Sequence, residues 1–415
     1  MSEIKQLIER LCPDGVEYKK LGEVCEIKGR IGFRGYTRQD LVEESEGAIS
    51  LSPSNIINDE LKYDKCTYVS WAKYEESPEI MANVGDIVFT KTASVGKTAL
   101  IKWLPKEATI NPQLVLLKNI VCNNAYLSYV LKGTKFQNDV RKITGVGSVP
   151  NVPQSSLANI EIPVPPIEVQ SKIVEVLDNF TELEAELEAE LEARRKQYEY
   201  YRNQLLTFDK VGGARFDVKW MTLGEIGEMI KGSGIQKSDF VEDGYPCIHY
   251  GQLHTFFGTF ANKNKSFIGK ALFDKCKKAQ YGDLLIATTS EDVEACCKAT
   301  AWLGGEVAIS GDSHIFRHNQ NPKYVAYFFQ TENFARQKRK YASGVKVVRV
   351  SGDNLAKIEI PVPPLAEQQR IVSILDRFEA LTTDLQSGLP AEIEARRKQY
   401  EYYREKLLTF KRKTA

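Results

Sequence analysis

Apolar positions alternate between two regimes along the chain. In residues 15–160 and 215–358 they form short runs rich in β-branched residues and punctuated by turn formers. GDIVFTKTASVGKTALIKW (85–103) and GDLLIATTSEDVEACCKATAW (282–302) are examples, and both read as strands with turns between them. AYLSYVLKGTKFQNDVRKI (125–143) and KYVAYFFQTENFARQKRKYA (323–342) instead show helical spacing. Each half therefore reads as an α+β globule. The second regime is a long helix. Pro163, Pro165 and Pro166 forbid helix just before it, and ELEAELEAELEARRKQYEYYR is built almost wholly of strong helix formers. Leu177, Leu191, Tyr198 and Leu205 fall in one seven-residue row and Phe180, Leu187, Tyr201 and Phe208 in another, with Glu184 and Arg194 as polar interruptions. Near the C-terminus a similar seam runs through Leu385, Leu389, Ile393, Tyr400, Tyr403, Leu407 and Phe410, where Gly388 and Pro390 predict a kink. A single apolar seam needs a partner, and the other copy is the nearest one, as an antiparallel coiled coil.

The chain is duplicated. IEIPVPP at residues 160–166 recurs at 358–364, and EARRKQYEYYR at 192–202 recurs at 394–404; LLTF closes both copies, at Phe208 and Phe410. Leu21-Gly22-Glu23 answers Leu223-Gly224-Glu225, and Gly85-Asp86 answers Gly282-Asp283. Outside these anchors the halves hardly match. The expected organisation is a first globular domain over residues 1–160, a helical spacer over 161–211, a second globular domain over 212–358 and a second spacer over 359–415, related by a pseudo-twofold repeat.

Charge changes the picture only when it is divided. The net charge is +1, but residues 15–160 carry 18 Lys/Arg against 16 Asp/Glu, residues 215–358 carry 20 against 15, and residues 161–211 carry 6 against 12. Acid gathers in the helical middle and leaves both globular segments mildly basic, as a nucleic-acid binder requires. No apolar stretch is long enough to span a bilayer and the N-terminus lacks a secretory signal, so a cytoplasmic protein is expected. The eight cysteines form no C-x-x-C pair and read as free thiols.

Signatures of catalysis are missing. SVGKTA (94–99) has Lys91 where a phosphate-binding loop needs glycine, and Pro13-Asp14 stands too close to Glu17 and Lys19 for a metal-dependent nuclease. The Pro-Pro pairs lie in VPPI and VPPL and not in an amino-methyltransferase tetrapeptide. No metal site and no catalytic residue is expected.

Two unlike segments alternating with repeated IPVPP-x(3)-Q-x-x-IV and EARRKQYEYYR…LLTF blocks resemble the specificity subunit of Type I restriction–modification systems, over essentially the whole chain. The resemblance implies two target-recognition domains joined by two long conserved helices in an antiparallel coiled coil. It implies a DNA-binding, non-catalytic subunit that reads a bipartite, asymmetric site and scaffolds the restriction system. The partners implied are double-stranded DNA, two modification (methyltransferase) subunits and, through them, restriction motor subunits. S-adenosylmethionine, ATP and magnesium then belong to those partners, with no cofactor in this chain. A helix of about 35 to 40 residues is about 50 to 60 Å long. Two readers about one turn of DNA apart leave an unread gap of about 5 to 8 bp. A stand-alone DNA-binding adaptor and a structural coiled-coil interaction protein are the alternatives.

Arginine grips guanine with two donors while lysine more often meets phosphate, so basic residues in glycine-punctuated loops are the candidate contacts. In the first segment these are Lys28, Arg30 and Arg34 in KGRIGFRG, Lys91 and Lys97 in TKTASVGKT, and Arg141 and Lys142 before TGVGS. In the second, polar as well as basic residues are named: Lys231, Gln236, His249, Tyr250, His254, Arg339, Lys340 and Lys346.

Overall fold

The computed structural model describes residues 2–30, 37–145, 147–208, 218–344, 346–383 and 387–413. Its chain divides into two compact units, Met1–Glu186 with Ile393–Ala415, and Leu187–Glu392. Each unit therefore combines one mixed globule with stretches of helix drawn from both repeats.

In the first unit a four-stranded sheet runs in the order Glu26–Gly29, Leu114–Lys118, Ile87–Thr90, Thr98–Leu100. Alternation along its strands assigns each face. Ile87, Phe89, Val115 and Leu117 pack under the helices Asn124–Lys132 and Thr134–Ile143, while Val88, Ala99, Leu114 and Leu116 pack against a second four-stranded sheet. Burial on both faces explains why GDIVF reads as a continuous apolar run. The second sheet has the order Ala108–Ile110, Gly47–Leu51, Thr67–Ser70, Leu41–Val42.

The second unit repeats this helix–sheet–sheet layering with five strands in each sheet. Leu284, Ile286 and Phe316 face the helices Pro322–Phe328 and Glu332–Arg339, and Leu285, Ala287 and Ile315 face the other sheet. The mixed α+β class read from the sequence holds in both units. In each, a short antiparallel pair ties the N-terminal edge to the IPVPP block: Tyr18–Lys20 with Glu161–Pro163, and Lys219–Thr222 with Glu359–Val362.

The block that follows is anchored identically twice. Gln170 accepts the Asn123 N–H at 2.8 Å and donates to the Pro165 carbonyl; Gln368 accepts the Asn321 N–H at 3.0 Å and donates to the Pro363 carbonyl. Tyr126 donates to the Pro163 carbonyl and Tyr129 to Asp178, as Tyr324 does to the Pro361 carbonyl and Tyr327 to Asp376. These buried bonds fix the angle at which each long helix leaves its globule.

The helix Ile167–Leu205 is 39 residues long. Its residues 167–186 belong to the first unit, where Phe180 stacks on Tyr403 at 5.5 Å and Glu184 binds Arg397 at 2.8 Å, so partner numbers fall as helix numbers rise. The expected antiparallel pairing is therefore present, and the polar interruption at Glu184 is an ion pair. Residues 187–205 belong to the second unit, where Tyr201 stacks on Phe378 at 5.5 Å. The C-terminal repeat is two helices, Leu365–Thr383 and Leu389–Leu408, where the sequence predicted one kinked helix: Gly388 and Pro390 start a new helix instead of bending the old one. Leu385 lies outside the described residues.

Candidate nucleic-acid interface

At one end of the buried sheet the two units share a backbone frame. The first strand, Ile87–Thr90 or Leu284–Ala287, runs on into a loop. The Lys91 N–H donates to the Gln113 carbonyl at 2.9 Å, and the Thr288 N–H to the Asp312 carbonyl at 3.1 Å. The loop residue's own carbonyl then accepts from the returning segment, Val152 N–H to Lys91 and Val350 N–H to Thr288, at 2.8 and 3.2 Å. Thr92 bridges Asn151 and Thr289 bridges Arg349. Gly145 donates to the Asn151 carbonyl as Ser343 does to that of Arg349. Equivalent positions are therefore 91 and 288, 92 and 289, 113 and 312, and 151 and 349.

What sits on the frame differs. In the first unit Thr92 Oγ1 donates to Asn151 Oδ1 at 2.9 Å, and Lys91 stands half-buried, its ammonium pushed below the usual lysine range by that burial. In the second Thr289 Oγ1 donates to Asp312 Oδ1 at 3.2 Å, and the Arg349 guanidinium lies 3.9 Å from the same oxygen with its side chain 66% exposed.

A helix supports each loop by different chemistry. Gln137 donates to the Gly96 carbonyl at 3.0 Å. Gly96 has φ +95°, and a Cβ there would lie 2.5 Å from Gln137 Oε1, so the position takes glycine. In the second unit Lys338 is buried and donates to the carbonyls of Glu294 and Cys296, and Cys297 carries the same left-handed backbone with φ +65°. All eight cysteines are free thiols.

Several candidate residues converge on this frame. An open cleft of about 520 Å³ in the first unit is lined by Ala93 and Ser94 of the loop, Gln137 and Arg141 of the helix Thr134–Ile143, and Thr144 and Gly145 beyond it. The structure thus brings the TKTASVGKT loop and Arg141 together. Arg141 is exposed and donates to Asn138 at 2.7 Å; Lys142 pairs with Asp139 at 2.7 Å, and Lys97 is exposed. In the second unit the His254 ring bonds the Thr289 carbonyl through Nε2 at 2.9 Å. His249 and Tyr250 open the same short helix, Tyr250–Thr255, with ring centroids 4.5 Å apart. Lys231 pairs in register with His314, which in turn bonds Thr288 Oγ1 at 3.1 Å. Burial lowers the pKa values of both His249 and His314, with smaller contributions from Lys237 and Lys231. Arg339, Lys340 and Lys346 flank the frame, but Arg339 is held by Glu294 and Glu332, each at 3.0 Å.

Others stand elsewhere. Arg30 is a correction: its side chain is buried, donating to the Ile110 carbonyl and Thr109 Oγ1, both at 3.2 Å, so it braces the second sheet from inside. Lys28 lies on the strand Glu26–Gly29, paired with Glu26 at 2.8 Å, and Gln236 caps a turn through its backbone N–H to Asp239. Arg34 lies outside the described residues. Asn151 and Arg349 were not among the candidates. Among the described residues no group of three or more His, Cys, Asp or Glu could hold a metal ion, and no helix is long and apolar enough to cross a membrane.

The family model described as the Type I restriction modification DNA specificity domain matches this chain twice, over residues 13–193 and 217–395. The chain belongs to this family. A putative type I restriction enzyme specificity subunit of Haemophilus influenzae is 37% identical over 274 residues, covering 62% of this chain and 66% of that protein. A type I restriction enzyme specificity subunit of Escherichia coli is 35% identical over 270 residues, covering 63% and 62%. The alignments thus span just under two thirds of these relatives. A chain solved in a study of complex assembly and conformational transition of the type I R-M system shares the fold with TM-score 0.67 at 16% identity, covering 95% of this chain and 97% of its own length. The HsdS subunit of Thermoanaerobacter tengcongensis gives TM-score 0.52 at 16% identity, covering 96% of both chains. Each family match spans most of one globule and ends within the helical segment that follows it, so the family's unit is globule plus helix.

Proposed function

We propose that this chain is the non-catalytic specificity subunit of a cytoplasmic Type I restriction–modification enzyme, reading an asymmetric DNA site of two short halves separated by a fixed gap. The observation that carries the reading is the frame built twice from the same backbone hydrogen bonds and dressed with unlike side chains, Lys91, Thr92, Gln113 and Asn151 against Thr288, Thr289, Asp312 and Arg349. Repeating a scaffold while changing its chemistry is what two different half-sites require.

The repeated helices would scaffold two modification subunits and, through them, the restriction subunits. Tyr200 and Tyr402 occupy the same place in the two EARRKQYEYYR copies and each is 60% exposed, while their neighbours Tyr201 and Tyr403 are spent on stacking. Exposed tyrosine on a rigid helix is a common anchor for a protein partner, and two identical anchors suit two copies of one partner. S-adenosylmethionine, ATP and magnesium would be held by those partners.

Co-expression with the methyltransferase encoded beside this chain, followed by genome-wide mapping of methylated adenines, tests the reading. A split motif with unlike halves and a fixed gap is expected. A continuous motif, or no methylation from a partner known to be active, would overturn it.

A further inference from the structure

We propose that position 151 of the first unit and position 349 of the second are base-reading positions, Asn151 recognising adenine and Arg349 recognising guanine. The assignment rests on the reading of the chain as a DNA-specificity subunit and goes beyond it by naming which side chains carry the specificity and for which bases.

Three observations converge on these two residues. They are structurally equivalent, each bridged to the loop threonine on one side and to Gly145 or Ser343 on the other, so their backbones are held in the same way. A side chain that reads bases needs such a support, because displacement of about 1 Å loses the hydrogen bond it must make. Both side chains are exposed, although the threonines that bridge them are half-buried or buried. They therefore stand out from the surface at the edge of a supported loop. Finally, the polar groups around each match the chemistry of one base.

Asn151 Oδ1 already accepts from Thr92, which fixes the amide plane and directs the Nδ2 donors outward. An amide so oriented donates to adenine N7 while its oxygen keeps a lone pair for the adenine N6 amino group, the two-point pattern by which asparagine selects adenine in the major groove. Arg349 faces a carboxylate: Asp312 is held by Thr289 Oγ1 and lies 3.9 Å from the guanidinium. That distance is loose enough to leave the donor fork free and close enough to steer it. The fork matches guanine O6 and N7, both acceptors, and Asp312 serves as the positioning residue. At the position of Asp312 the first unit carries Gln113, a neutral residue whose Oε1 accepts from Asn111 Nδ2 at 3.1 Å, so no carboxylate occupies that place in the frame around Asn151.

The alternative for Arg349 is a phosphate contact, and the two roles differ in what they do to sequence preference. The experiment uses the assembled modification complex and duplexes carrying the mapped site, with each base pair of both half-sites replaced in turn. In the wild type, replacing the G·C pair read by Arg349 is expected to lower methylation about 5- to 150-fold. In R349A that penalty should fall to about 2-fold or less, at one position of one half-site only, with every other penalty unchanged. R349K keeps the charge and the loop but lacks the fork, and should lose the same preference. N151A should relax a single A·T position in the other half-site, and D312N should weaken the guanine preference without abolishing it. If R349A or R349K weakens all positions equally, the residue holds phosphate and the assignment is overturned. It is overturned too if R349K keeps the wild-type pattern. A wild-type complex that methylates no split site contradicts the proposed function instead, so the two failures are distinguishable.

Discussion

The two units differ least where they hold their helices and most where they meet solvent at the end of the buried sheet. Gln170 and Gln368, Tyr126 and Tyr324, and Tyr129 and Tyr327 share one set of bonds to equivalent partners, to which the second unit adds Gln368 to Gln320 and Tyr327 to Glu379. In the frame, Lys91, Gln113 and Asn151 are replaced by Thr288, Asp312 and Arg349 while the shared backbone bonds are kept. The frame is made of main-chain hydrogen bonds, which any residue but proline can supply, so its side chains are free to change. The joint to the helix is made of side chains, so its sequence is fixed. That division would let one scaffold carry the two specificities proposed above.

Acid should separate the units most strongly. All four histidines lie in the second unit, and burial holds His318 at a pKa of about 4. The unfolded chain takes up that proton near pH 6.5, so stability is lost as pH falls from about 6.5 to about 4, by about 3 kcal/mol, and then levels off. His249 and His314, also lowered, add to the loss in the same direction. Hydrogen exchange at pH 7 and pH 5 should show the second unit loosening and the first, which has no histidine, unaffected by this cause.

Arg30 gives the next largest effect, confined to the other unit. Arg30→Ala takes away the buried guanidinium that donates to the Ile110 carbonyl and to Thr109 Oγ1, and should cost about 2 kcal/mol by denaturant unfolding, without altering the methylated motif. The register places Gly232 at the equivalent position, and a Cβ there would lie 2.1 Å from the Ser310 carbonyl, so the second unit has no counterpart to lose. A change of motif in this variant would restore Arg30 to the interface.

Where the units are alike, substitutions should act alike. Gln170→Ala removes two hydrogen bonds, and Gln368→Ala removes the matching two with a third to Gln320; each should cost about 1 to 2 kcal/mol, the second no less than the first. A negligible loss in either variant would mean that the joint is not the shared element described. The smallest effect on stability belongs to Tyr200→Ala and Tyr402→Ala, within about 0.5 kcal/mol because both rings are exposed. Their effect should appear in binding instead. Each single variant should retain one modification subunit and the double variant should lose both, as read by the mass of the assembled complex.

Much of this was legible in the sequence. The IPVPP and EARRKQYEYYR blocks marked the helices, and Gly85-Asp86 and Gly282-Asp283 marked the buried strands, because helix and β-sheet cores constrain side chains directly. One repeat escaped notice: Asn-x-x-Tyr-x-x-Tyr at 123–129 and 321–327, with the same shift of 198 as IPVPP. It is the other half of the helix joint. Asn151 and Arg349 escaped for the opposite reason, since their equivalence lies in backbone hydrogen bonds and leaves no shared letters. Arg30 was misread because a basic residue among glycines looks exposed, and only the sheet packed over it shows otherwise.

The central claim, that each unit reads its own half-site through a transferable globule, is tested most directly by building one globule twice. Residues 21–160 would be replaced by residues 223–358, joining at the Leu-Gly-Glu and Ile-Glu-Ile-Pro anchors that both halves share. Methylation mapped with this chain and its modification partner should reveal a symmetric site, in which the half assigned to the second unit appears twice in opposite orientations across an unchanged gap. An active complex that still reads the original asymmetric site, or one whose second half changes as well, would contradict the account.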